Sequence, residues 1–203
     1  MIRIRVEYKK ENLFIFLSNL DIIKYLERTL RRSELPIVYT QGFNPKPKMD
    51  FSPALPLGIP SESEIFEFYL TQKTANDQIL EKLKKSVDKE LTIKRVREIN
   101  ITSPLLSYLI THFEIELIGE IFRKFDFKNF KIKKENYSYL ELKNFLFLEE
   151  EISYGKRLII SKNLSLRLFY ENLKIYSNEM LFIKKIKNLR IENGKIYDSF
   201  DLD

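Results

Sequence analysis

Ile2-Arg-Ile-Arg-Val-Glu-Tyr8 alternates apolar and charged residues, the two-residue period of a half-buried strand. Leu13-Phe-Ile-Phe-Leu17 reads as a continuation of that strand, or as the second arm of a hairpin over Lys9–Asn12. Ser18 then stands three residues before Asp21 in a pattern like a capping box, with Asp21 favouring the positive end of a helix. Ile22, Ile23, Leu26 and Leu30 follow at helical spacing until Pro36 ends the segment. Ile37-Val-Tyr-Thr40 and Ile65-Phe-Glu-Phe-Tyr-Leu70 are strand-like. Asn76 or Asp77 caps a second helix with Ile79, Leu80, Leu83 and Val87 on one face, and Leu91–Val96 closes as a strand. The order β-α-β-β-α-β is the ferredoxin-like split arrangement, two helices over one face of a four-stranded antiparallel sheet. An α+β chain is therefore predicted, with a ferredoxin-like domain over residues 1–100.

A boundary falls near Asn100–Pro104. Beyond it the pattern weakens: a short helix over 105–110, a strand at His112–Leu117, and strands at Leu158–Ile160 and Leu181–Ile183. A hairpin over Leu189–Tyr197 turns at Asn193-Gly194. Residues 120–150 mix aromatic and basic side chains without a clean period. Residues 104–203 read as a smaller, diverged α+β domain.

The 203 residues are 44% apolar and 32% charged, enough for a core and a solvated surface. There is no cysteine, which removes disulfides, thiolate metal sites, cysteine nucleophiles and a protein-ligated iron–sulfur cluster. One histidine excludes a multi-histidine metal centre. The start has no hydrophobic signal core and no stretch approaches 18 uninterrupted apolar residues, so a cytoplasmic protein without a membrane span is expected. No cofactor is expected.

Net charge is +6, and residues 1–58, with ten basic and six acidic side chains, hold +4 of it. Lysines outnumber arginines 24 to 11, yet Arg3, Arg5, Arg28, Arg31 and Arg32 all precede residue 33. A guanidinium fork suits phosphate. On the first helix Lys24, Arg28, Arg31 and Arg32 project away from the apolar stripe, as a phosphate-binding face or as an ordinary solvated one.

Six of the seven prolines lie between 36 and 60, among apolar residues that mark an ordered loop rather than a linker. Within it, Gln41, Gly42, Phe43, Asn44, Lys46 and Lys48 are candidate nucleic-acid contacts. An exposed aromatic next to lysines stacks on a base while the ammonium groups meet phosphate. Alternatively Phe43 and Phe51 plug the loop into the core, the reading favoured for Phe51. His112 is a strand residue, and the acidic run Glu149–Glu151 reads as solvated.

Together, Phe16-Leu-Ser-Asn-Leu-Asp21, Leu26-Glu-Arg-Thr-Leu-Arg-Arg-Ser33, Leu35-Pro36 and Tyr39-Thr-Gln-Gly-Phe-Asn-Pro-Lys-Pro-Lys-Met-Asp-Phe-Ser-Pro-Ala-Leu-Pro-Leu-Gly58 resemble the radical-SAM-linked domain family of unknown function. The resemblance covers roughly residues 1–100. Members of that family stand alone or are joined to a cobalamin-type radical-SAM protein, and are often encoded beside RNA-processing and ribosomal genes. The resemblance thus implies a separate radical-SAM enzyme as a partner, beside the RNA expected from the basic helix face and the loop. Asn19 and Lys46 stand where the family commonly has histidine, which counts against any shared histidine chemistry here. The element order is also similar, as fold-level analogy, to the repeat-associated RNA-processing nucleases of CRISPR systems.

The function expected is a non-catalytic RNA-binding or accessory module. A protein–protein adaptor using Phe43, Leu55, Leu57 and Ile59, and a metal-independent ribonuclease with His112 or Tyr39 as base, are the alternatives.

Overall fold

In the computed structural model, which describes residues 1–134, 138–174 and 182–203, the opening segment forms β1 (Ile2–Lys10). It is followed by α1 (Asn19–Arg32), β2 (Met49–Phe51), β3 (Ser61–Leu70), α2 (Asn76–Ser86) and β4 (Leu91–Ile99). β1 lies between β4 and β3, antiparallel to both, and β2 pairs antiparallel with β3 through Met49–Phe68 and Phe51–Phe66. Ile4, Val6, Tyr8, Phe66 and Phe68 meet Ile22, Leu26 and Leu30 of α1 and Ile79 and Leu83 of α2, so both helices cover the same face. Each such fully buried aliphatic side chain contributes about 1.5–3 kcal/mol.

Residues 104–203 continue the same sheet. They form α3 (Leu106–Leu109), β5 (His112–Ile118), α4 (Glu120–Arg123), the small hairpin β6 (Lys131–Lys133) and β7 (Tyr139–Glu141), β8 (Leu146–Ile152), β9 (Gly155–Ser161), α5 (Leu166–Lys174), β10 (Phe182–Glu192) and β11 (Lys195–Asp198). The main path runs β4-β1-β3-β10-β5-β9-β8, with β11 on β10 and β2 on β3. Every pairing is antiparallel except β3–β10, a single parallel contact between Ser61 and Lys185. The protein is thus mixed α+β, a large and mostly antiparallel sheet with few helices. The aromatic residues without a clean period are core: Phe122, Phe127 and Phe130 pack with Phe169, beneath Phe113, Ile115 and Leu158. Among the described residues no helix is long and apolar enough to cross a membrane.

Three local expectations change. Leu13–Leu17 is not a strand: Asn12 takes φ 51° and starts a 3-10 turn over Asn12–Phe16, whose Phe14 packs edge-on against Tyr25. Ile37–Thr40 makes only isolated bridges, Ile37 to Leu70 and Tyr39 to Pro47, because flanking prolines remove ladder donors. The strand that pairs there is β2. Glu149 is nearly buried beside Lys156, leaving Glu150 and Glu151 as the solvated part of that run. Of Leu181–Ile183, Leu181 lies outside the described residues and the rest opens β10.

A short charge chain ties β1 and β3 to β10. Glu62 accepts from Lys9 at 2.7 Å and from Lys184. Burial opposes its ionisation, but the two lysines outweigh burial and hold the carboxyl at about 2. A carboxylate with a depressed folded pKa stabilises fully above its ordinary value near 4.5 and loses that stabilisation as pH falls through about 2. Glu62→Gln is therefore expected to flatten the acid limb of a stability–pH curve between those values. An unchanged limb would assign it to other carboxylates.

Candidate nucleic-acid interface

The site starts from local rules. Ser18 caps α1, its side chain accepting from the Asp21 amide at 3.2 Å, and Asp21 lies in the first turn. Arg31 and Arg32 occupy the last turn, where cations favour the negative helix end. With Ile22, Leu26, Thr29 and Leu30 buried, Lys24, Arg28 and Arg31 are left facing solvent. Arg32 is exposed too but turns toward α2, donating to the Ser86 carbonyl at 2.8 Å.

The stretch after Pro36 folds back on itself. Thr40 N donates to Lys46 O at 2.8 Å, Lys48 N to Val38 O at 2.9 Å, and the Lys46 amide to the Thr40 hydroxyl at 3.1 Å. Val38 N in turn donates to Tyr69 O, hanging this finger on β3. Gln41, Gly42, Phe43, Asn44 and Pro45 form an exposed tip, and Gly42 takes φ +128°, which L side chains resist. Phe43 is fully exposed and does not plug the core, whereas Phe51 stacks on Phe66 at 6.3 Å.

Arg31 joins the helix to the finger. Its Nη2 donates to Pro45 O at 2.6 Å and its guanidinium lies 5.2 Å from the Tyr39 ring centre. Glu27, one turn earlier, is 3.9 Å from Lys46 Nζ. Lys48 lies over the Tyr69 ring at 4.6 Å. Lys24 and Arg28 make no ion pair among the described residues. The α1 face thus carries Lys24, Arg28 and Arg31, and Arg31 ties that face to the finger on which Phe43 and Lys46 are exposed. Glu27 as a clamp was not foreseen, although its spacing of four from Arg31 puts it on the same face.

The other chemical candidates lie apart. His112 Nδ1 is 2.9 Å from the Thr111 hydroxyl, its ring meets Phe147 edge-on, and burial pushes its pKa down. Tyr39 sits under Arg31 and shares no partner with His112. Of the adaptor surface, Leu55 and Ile59 are core residues; only Phe43 and Leu57 are exposed. No group of three or more His, Asp or Glu among the described residues is arranged to hold a metal ion.

Arg3 and Arg5 do not join this surface. They lie on the opposite face of the sheet, where Glu67 accepts from Arg3 Nε and from Arg5 Nε, each at 2.7 Å. All three are essentially buried. β1 is therefore buried on both faces rather than half-buried, and two of the five early arginines serve the interior.

The family model described as an uncharacterized protein conserved in bacteria (DUF2344) matches residues 3–191. No curated protein matches the chain.

Proposed function

We propose, for a chain that belongs to this uncharacterized family conserved in bacteria, a non-catalytic RNA-binding accessory role carried by the α1 face and the 39–48 finger. The observation that carries the reading is the Arg31 clamp: it ties the finger bearing the exposed Phe43 to the end of a helix face with a row of cations. Lys24 and Arg28 take backbone phosphates without first breaking an internal ion pair. Phe43 offers its ring to one unpaired base, and Lys46 is exposed on the same finger. Base–aromatic stacking of this kind contributes about 1–3 kcal/mol. The β4-β1-β3-β2 order with both helices on one face is, in our reading, the split β-α-β-β-α-β unit, a scaffold that also serves RNA-binding modules.

The test is a salt series of binding curves with a single-stranded RNA oligonucleotide. Lys24→Ala/Arg28→Ala is expected to lower the slope of log K against log salt by about 0.7 for each phosphate that is no longer neutralised. Phe43→Ala is expected to weaken binding roughly 5- to 150-fold, following the stacking energy. Both sites are exposed, so the variants should fold. Folded variants with unchanged slope and affinity would remove RNA from this surface.

A second reading has its own observation. Leu13, Phe16 and Leu20 are 68, 67 and 66% exposed, and the Gly58 amide donates to Ile15 O at 2.8 Å, bringing exposed Leu57 beside the same turn. An apolar surface of this kind suits a protein partner, and the family resemblance makes a separate radical-SAM enzyme the one to seek. Co-purification that survives ribonuclease favours it.

A further inference from the structure

The sheet face turned away from α1 and α2 carries more arginine than its own carboxylates neutralise. Arg3 and Arg5 share Glu67, and Arg95 donates to Glu7 at 2.5 Å. Arg5 and Arg97 stand directly opposite each other on β1 and β4, a like-charge pair that opposes strand pairing. What relieves this is the end of β11 and the segment that follows it. Asp198 and Asp201 reach Arg95 at 3.0 and 3.1 Å, and Asp203 reaches Arg97 at 2.8 Å.

The segment is recognised as polypeptide, not only as charge. Arg5 Nη1 donates to the carbonyls of Ser199 at 2.9 Å, Phe200 at 3.3 Å and Leu202. Arg97 also donates to Phe200 O. The Phe200 ring is buried, with the Arg95 guanidinium 4.1 Å from its centre. Carbonyl acceptors, acidic side chains and one aromatic anchor are the elements of a peptide-binding groove. Two features separate the groove from its occupant. Arg5 Nη2 is buried without a partner among the described residues, so the segment leaves a donor open. The four arginines also lie within residues 3–191 matched by the family, whereas 198–203 lies beyond that span.

We propose that this arginine face is a receptor for an acidic peptide segment bearing a phenylalanine anchor, filled in cis by residues 198–203. A partner polypeptide of the same chemistry displaces the strap and takes the open Arg5 donor. Cis occupancy lowers the apparent affinity of any competitor by the fraction of molecules whose groove is open.

The experiment titrates a fluorescent hexapeptide of the chain's own residues 198–203 onto the full chain and onto two strap-loosened full-length variants. One is Phe200→Ala/Asp201→Asn/Asp203→Asn. The other, Asp201→Asn/Asp203→Asn, changes only exposed carboxylates, so folding is retained. Both variants are expected to bind the peptide at least tenfold more tightly than the unaltered chain. Binding should be lost when alanine replaces phenylalanine in the peptide, or when Arg97→Ala is added. Folded variants that gain no peptide affinity would overturn the proposal. So would a gain for polyuridylate in place of the peptide, which would make the face a nucleic-acid site under a strap.

Discussion

Glu67→Gln is expected to destabilise the protein by about 3–5 kcal/mol, the range for removing one partner of a buried ion pair. In a chain of this length that lowers Tm by roughly 6–20 °C. The substitution keeps the shape of the side chain and removes its charge. An amide has one accepting oxygen and one donating nitrogen, so one of Arg3 and Arg5 would face a donor inside the protein. Neither guanidinium has solvent to retreat to, because both are essentially buried. Arg5 is the more exposed to this loss: burial already lowers its pKa, the like charges of Arg97 and Arg3 add to that, and Glu67 is what opposes it. Denaturant unfolding of the variant checks the expectation, and a loss under about 1 kcal/mol would show that water reaches this layer.

The companion variant Arg3→Met/Arg5→Met/Glu67→Leu separates charge from packing. Replacing a whole buried ionic group by apolar residues is often neutral or better. Here only partial recovery is expected. The carbonyls of Ser103, Pro104, Ser199 and Leu202 would lose the arginines that donate to them, and Phe200 O would keep only Arg97. The two arginines therefore hold the segments at 103–104 and 199–202 to the sheet as well as sharing the Glu67 charge.

What could be read in advance follows how local each signal is. The α1 helix forms where expected because the Ser18 cap before it, the 3.6-residue stripe along it and Pro36 four residues past its end are all local signals. The Asn193-Gly194 turn is equally local, with positive φ at both residues. The burial of Arg3 and Arg5 is not local. Glu67 is 64 and 62 residues away, and alternation on β1 marks two faces without saying that something covers the charged one. Clustering of arginine near the start therefore overstated the outward basic surface. On the site, exposure of Lys24 and Arg28 follows from helical spacing alone. The Arg31 contact with Pro45 needed the finger to fold back, a path set by bridges that proline-rich sequence does not announce.

Gly155→Ala is expected to cost about 3 kcal/mol or more, although glycine there needs no unusual backbone. A Cβ at this position would lie 1.9 Å from the Leu117 carbonyl oxygen and 3.0 Å from its carbon. The obstacle is backbone in the next strand: Leu117 pairs with Lys156 on one side and with Ile183 on the other. Moving it would disturb β5 against both neighbours, and overpacking of this kind has no flexible side chain to absorb it. Gly194 supplies the contrast. Its φ is +75°, but nothing lies within 4 Å of an added Cβ, so Gly194→Ala carries only the conformational penalty, about 1 kcal/mol. Parallel denaturation of the two variants distinguishes a glycine required by close approach from one required by a turn. Equal losses would mean that β9 slides away from β5 at its first residue, and that the close approach at Leu117 is not what fixes the register of that pair.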